Sequence, residues 1–237
     1  MNFKVLLIIG TLFLTAALPI AIRLSLFDKI NPSLQTKSQN FAQNAIQPLK
    51  AQPADVEQIL KTKKCVGCDL SNINLSGTDL TGADFRNTNL SRANFTNTIL
   101  QDAKMSGAIL QGANLSHADL QGADFKGSDL KAANLSDAQL MNVNLEDADL
   151  STANLNHTEL RDADLTGAKI EKADMSHASL YGAHLTEANL TDTNLSNANL
   201  RYANLSKAIL NKTNLTGADL RMAVMPNGTT QYGTAEY

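Results

Sequence analysis

Residues 108–127 read AILQGANLSHADLQGADFKG, and the spacing within them decides the fold. A leucine or phenylalanine stands at every fifth position, two residues after an alanine. The spacing extends from Leu70 to Met225, where all 32 residues whose numbers are multiples of five are Leu, Phe, Met or Ile. Alanine occupies 22 of the 32 positions two residues earlier, so in most repeats a small apolar side chain precedes the large one.

A period of five fits neither a helix nor a flat strand. An α-helix repeats every 3.6 residues and a strand every two, so every fifth side chain would not stay on one face of either. The pattern closes if the chain turns a corner every five residues and four corners complete a coil. Successive coils then pair as parallel strands about 4.8 Å apart. The sequence therefore predicts an all-β solenoid of quadrilateral cross-section, with Ala and Leu pointing inward.

Polar residues of the repeat suit the corners of such a coil. Asn or Asp precedes the large apolar residue in 22 of the 32 repeats, and these side chains satisfy turn backbone groups through Asx turns. Glycine at the last place of the unit, as at Gly112 and Gly127, relieves backbone strain at a corner.

The repeat resembles a known family. Residues 113–116 (ANLS) and 123–127 (ADFKG) match the consensus of pentapeptide-repeat proteins, and the resemblance covers about two-thirds of the chain. It implies a right-handed quadrilateral β-helix, and 32 units correspond to about eight coils. The head of the repeats, residues 64–70 (KCVGCDL), looks like exported cyanobacterial members, which implies a thylakoid-lumen or periplasmic location.

The N-terminus has the pattern of an export segment. Lys4 precedes an apolar run over residues 5–22, which ends at Arg23. Eighteen residues of helix would rise about 27 Å, close to the thickness of a hydrocarbon core. Two interpretations stay open, a cleaved signal peptide and an uncleaved membrane anchor. Both place the remainder of the chain across a membrane.

The chain divides into five parts. Polar composition with three prolines predicts an unstructured tether after the leader. A capping-box pattern and apolar spacing then predict a short amphipathic helix that covers the first coil. The predicted boundaries are 1–23 for the signal or anchor, 24–53 for the linker, 54–64 for the capping helix, 65–227 for the β-helix and 228–237 for the tail.

Charge and composition exclude some classes of function. Aromatic residues make up 5% and Trp is absent, which disfavours a base-stacking surface. Residues 1–67 carry a net charge of +5 and residues 68–226 a net charge of −7. An acidic body argues against a protein that binds the phosphate backbone of nucleic acid. The unbroken register leaves no inserted loop to build a concave active site, so we expect no catalysis and no cofactor.

Cys65 and Cys68 stand where the repeats begin. In an exported protein we expect them to form a structural disulfide that fixes the first corner. A redox role would need a βαβ context, and a zinc site would need two further ligands nearby. The sequence provides neither.

Residues twenty apart are expected to stack into columns on the outer surface. One column contains arginine and tyrosine, which are enriched at interface hot spots, and is the candidate docking strip. Its members, with the neighbour Tyr202, are Arg161, Tyr181, Arg201, Tyr202 and Arg221. A solvated charged face is the alternative interpretation of this column.

A second column contains the candidate ligands for a metal ion, His117, His157 and His177, with Asp137 between the first two. Neighbours about 4.8 Å apart can share a metal or respond to acidification. Only His157 and His177 are adjacent rungs, and the third ligand of a metal site is missing. A solvated polar ladder is therefore the favoured interpretation, and no metal is expected.

These features favour a non-catalytic, exported solenoid that binds or scaffolds an unknown protein partner through its flat outer faces. The alternative is a DNA mimic. Some cytosolic pentapeptide-repeat proteins resemble a DNA duplex and act on type II topoisomerases, and a net charge of −7 is compatible with that role. The leader argues against a DNA mimic, and so do the Lys and Arg residues scattered over the repeats. A metal-binding or pH-responsive protein that uses the histidine column is a weaker alternative.

Overall fold

The computed structural model describes residues 53–232. Helix α1 spans Pro53–Thr62, starting and ending slightly earlier than the predicted 54–64. Proline at its first position is compatible with a helix because the first N–H groups have no partner in the helix. Ile59 of α1 is only 2% exposed and joins the hydrophobic core, while Val56 packs against it. The predicted leader and residues 24–52 of the predicted linker lie outside the described residues.

After α1 the chain winds with a fixed repeat of twenty residues. The residue before each large apolar side chain forms a parallel bridge with the residue twenty positions later, from Lys64↔Asp84 to Asn204↔Val224. Bridges start at Lys64, Asp69, Asn74 and Asp79 and continue up four separate faces. Strand pairing along these faces consists of single-residue bridges, because a corner follows within two residues on either side.

Each corner is a tight turn that closes on itself. In the turn after Leu110, for example, Ala113 N–H donates to the Leu110 carbonyl oxygen at 3.0 Å. The third residue of each turn has a positive φ, and only this residue of the turn does so, which is the signature of a type II turn. Gly112 adopts this conformation at no steric cost, but Ala132 and Thr152 adopt it as well, with φ of 55° and 59°. The stacked coils therefore impose the turn on residues that disfavour it.

The interior is filled by the two apolar positions of the repeat. Leucines such as Leu115 and Leu135 are completely buried, and alanines such as Ala113 are buried beside them. Phe85 and Phe95 contact each other with ring centroids 6.5 Å apart. Phe85, Met105 and Phe125 lie one above another and are fully buried, so they pack the core.

The far end of the column closes with a hairpin. Gly228 N–H donates to the Met225 carbonyl oxygen at 2.8 Å, with Pro226 at the second turn position. Thr230 then forms an antiparallel bridge with Val224. A tight turn over residues 225–228 therefore reverses the chain, and the returning segment covers the edge of one of the four faces.

Candidate functional site

The docking strip predicted from sequence is one continuous corner of the solenoid, and we call it the Arg–Tyr corner. Its residues are Arg161, Tyr181, Arg201, Tyr202 and Arg221. The parallel bridges set the twenty-residue register that stacks its members on successive coils. Tyr202 occupies the third position of its turn, with a φ of 60°, and this conformation turns the backbone sharply beside Arg201.

The two tyrosines of this corner contact each other on the surface. The ring centroids of Tyr181 and Tyr202 are 5.2 Å apart and the ring planes are inclined by 55°. They remain 37% and 47% exposed. The Cζ atom of Arg201 lies 5.8 Å from the centroid of Tyr202, within the range of a cation–π interaction. The corner thus presents an aromatic pair with a guanidinium against it.

Met222 extends this surface and was missed by the sequence analysis. It lies one coil beyond Tyr202 at the same turn position, with a φ of 63°, and is 40% exposed. Its position twenty residues after Tyr202 was the available signal. Exposed methionine adapts its shape to a partner, so the apolar part of the corner consists of Tyr181, Tyr202 and Met222.

The arginines of the corner differ in their counter-ions. Arg221 binds Asp219 with two hydrogen bonds, from Nε to Oδ1 at 2.9 Å and from Nη2 to Oδ2 at 2.6 Å. This contact lowers the pKa of Asp219 and raises the pKa of Arg221 above its usual value. Arg161 Nη2 donates to Glu159 Oε2 at 3.3 Å. The sequence analysis did not identify Asp219 and Glu159 as partners, although each precedes its arginine by two residues.

The histidine column is present but contains only one close pair. The rings of His157 and His177 stack nearly parallel, at an angle of 10° with centroids 4.8 Å apart. Across residues 53–232, no group of three His, Cys, Asp or Glu side chains is arranged to hold a metal ion. His117 is separated from the stacked pair by the coil that carries Asp137.

Cys65 and Cys68 are joined by a disulfide across the first turn of the column, with Cα atoms 5.6 Å apart. Gly67 supplies the positive φ of that turn. The hydroxyl of Thr88, from the next coil, donates to the Cys65 carbonyl oxygen. Both cysteines are half-buried and pack against the core beside α1.

The described residues were compared with the requirements of a membrane-spanning helix. Within 53–232, no helix combines the length and the apolar character of a transmembrane segment. The apolar run at 5–22, for which both the signal and the anchor interpretation stay open, lies outside the described residues.

Solved structures of three other proteins provide the comparison. HetL from Nostoc sp. strain PCC 7120, a pentapeptide repeat protein involved in heterocyst differentiation regulation, is 30% identical, covers 76% of this chain and 100% of its own, and has a TM-score of 0.50. Full-length QnrB1, a plasmid-mediated fluoroquinolone resistance protein, is 21% identical over 67% of this chain and 84% of its own, with a TM-score of 0.53. A pentapeptide repeat protein of the Arabidopsis thaliana thylakoid lumen is 29% identical over 57% of this chain and 74% of its own, with a TM-score of 0.21.

None of the curated proteins matches this sequence. The family model for pentapeptide repeats matches in 8 copies, over residues 68–107, 108–147, 144–182, 178–217 and 188–225. These matches cover the column that the bridges define, and they confirm the resemblance inferred from the repeat. The chain belongs to the pentapeptide repeat family, and its column is a right-handed β-helix.

Proposed function

We propose that this protein is a non-catalytic binding or scaffold module that engages a partner protein through the Arg–Tyr corner. The observation that carries the proposal is the contact of Tyr181, Tyr202 and Arg201 on an exposed corner. Arginine and tyrosine supply most of the binding energy at many protein interfaces, because they combine large apolar area with hydrogen bonding.

The repeat itself supports a binding role over catalysis. From Leu70 to Met225 the register is never broken, so this stretch contains no inserted loop to form a concave pocket. The related HetL is involved in regulation of differentiation, which is the kind of role that a binding module performs. We extend that role to this chain only as far as binding.

The architecture proposed for this role includes features at both ends. We take the 32 repeats as about eight coils, with α1 as the cap of the first. The buried side chain of Ile59 supports the capping role, because an uncovered first coil would expose apolar side chains and unpaired backbone groups. The Cys65–Cys68 disulfide would hold the first turn beneath this cap.

We place the protein in an exported compartment, the thylakoid lumen or the periplasm. The apolar run at 5–22 and the disulfide support this location, since disulfides persist in oxidising compartments. A reporter fused to the C-terminus and thiol labelling of Cys65 and Cys68 in intact cells test it. A cytosolic reporter with free thiols would contradict export and favour the DNA mimic.

Site-specific photo-crosslinking in the native cell tests the binding role. We would place a photoreactive phenylalanine analogue at Tyr202 and, as the matched control, at Ala132, an exposed residue at the same turn position on another corner. We expect a discrete protein adduct from position 202 and none from position 132. Equal adducts from both positions, or none from either, would contradict the proposal.

A further inference from the structure

Arg201 is the arginine of the Arg–Tyr corner that forms no ion pair within residues 53–232, although Asp219, which binds Arg221, also interacts with it electrostatically. Arg161 and Arg221 pair with Glu159 and Asp219. For Arg201, no carboxylate lies within ion-pairing distance in residues 53–232. Its backbone N–H donates to Asn199 Oδ1 at 3.2 Å, which fixes the turn without engaging the guanidinium.

The guanidinium of Arg201 is also incompletely hydrogen-bonded. Its Nε atom is buried without an acceptor, while the group packs against the Tyr202 ring. A buried donor without an acceptor is costly, and an incoming acceptor that reorients the guanidinium removes that cost.

We propose that the Arg–Tyr corner binds an acidic segment of a partner protein, with an Asp or Glu carboxylate on Arg201. This inference rests on the proposed function and names the chemistry of its partner. A carboxylate and a guanidinium form two parallel charge-assisted hydrogen bonds. Apolar groups beside the carboxylate would pack on Tyr181, Tyr202 and Met222, which are exposed on the same corner.

The charge of the column favours a short acidic segment over a polyanion. Residues 68–226 carry a net charge of −7. A nucleic acid or an anionic membrane would bring many negative charges against this surface and be repelled. A peptide with one or two carboxylates meets the local positive charge of Arg201 and avoids most of that repulsion.

A random peptide library displayed on phage tests the inference with the full-length protein immobilised as bait. We expect peptides that contain Asp or Glu to be enriched. Their binding should weaken about tenfold in Arg201→Gln, because a charge-assisted pair contributes at least that factor. Arg201→Lys should weaken it less, since the charge remains and the two-pronged geometry is lost.

Arg92→Gln is the matched control, because Arg92 is an exposed arginine on another corner. It should leave peptide binding unchanged. Enrichment of peptides without acidic residues, undiminished binding to Arg201→Gln, or no enrichment would each overturn the inference. Binding of DNA or anionic vesicles through Arg201, or self-association lost in Arg201→Gln, would also overturn it.

The crosslinking experiment at Tyr202 separates this failure from failure of the proposed function. If a partner still crosslinks from position 202 with equal yield in the Arg201→Gln variant, the docking role stands, but a carboxylate of the partner does not bind Arg201. If no specific adduct forms from position 202 in the protein that retains Arg201, the proposed docking role itself is wrong.

Discussion

The hydroxyl of Thr98 donates a hydrogen bond of 2.9 Å to the carbonyl oxygen of Leu75 on the preceding coil. Thr98 occupies a position where most repeats carry alanine, and it is completely buried. Thr193 and Thr213 make the same contact with the coil before them, through Ile170 and Leu190. A polar side chain is therefore tolerated at the inner alanine position where its hydroxyl reaches a backbone carbonyl.

Ser128 is the exception, and we expect Ser128→Ala to stabilise the protein. Its side chain is buried at 2% exposure and its Oγ atom has no hydrogen-bond partner. Removing an unsatisfied buried hydroxyl should raise the free energy of unfolding by about 1 kcal/mol. Thr98→Val, which removes a satisfied hydroxyl and leaves a carbonyl without this donor, should lower it by a similar amount. Urea unfolding measures both, and changes of the same sign would contradict the hydrogen-bond assignment.

Leu145→Asp should unfold several coils. Leu145 is completely buried, and an ionised carboxylate without a partner in the core is expected to cost about 4 kcal/mol or more. Lys126→Glu is the surface control. It turns the Lys126–Glu146 ion pair into a pair of like charges. Both side chains are substantially exposed, and interactions between exposed charges contribute little to the free energy of unfolding. Similar melting temperatures for the two variants would refute the assignment of inner and outer positions.

Asn134→Ala should destabilise one face of the column. Asn134 Nδ2 donates to Asn114 Oδ1 at 3.2 Å, and its Oδ1 atom accepts from Asn154 Nδ2 and from Ser136 N–H. Loss of these bonds is expected to lower the free energy of unfolding by about 1 to 3 kcal/mol. Gln139→Ala, at the same repeat position on the neighbouring face and exposed, is the control in thermal melts. Equal decreases in melting temperature for the two variants would show that the hydrogen bonds between stacked asparagines do not stabilise the protein.

The β-helix should lose stability only in strong acid. The Thr81 N–H donates to the Asp79 carboxylate at 2.9 Å and, with the Thr81 side chain and Lys63, lowers the pKa of Asp79 from 3.8 to about 2. Arg86 likewise lowers the pKa of Asp84. Because these folded-state values lie below the unfolded ones, their stabilisation is complete above about pH 4 and is lost toward about pH 2.

We therefore expect a constant melting temperature from neutral pH to about pH 4 and a decline below it. Asp79→Asn keeps an oxygen acceptor for Thr81 but no longer titrates, so its decline should be smaller. A decline that begins near neutral pH in the parent chain would contradict the assignment of the acid sensitivity to Asp79 and Asp84.

Amino-acid spacing by itself determined the coil. Every fifth side chain from Leu70 to Met225 is apolar, and only a chain that turns at each repeat buries all of them. The same spacing determined which residues share a column, so Arg161, Tyr181, Arg201 and Arg221 were grouped correctly. These properties depend on the backbone period, which is local and uniform along the repeats.

Tertiary structure alone decided which members of a column interact and with what. The sequence treated Arg201 and Arg221 alike, but Asp219 hydrogen-bonds to Arg221, while Arg201 packs on Tyr202. The Oγ atom of Ser128 lacks a hydrogen-bond partner for the same physical reason. Side-chain contacts between coils depend on the rotamers of residues about twenty positions apart, and periodicity does not specify those rotamers.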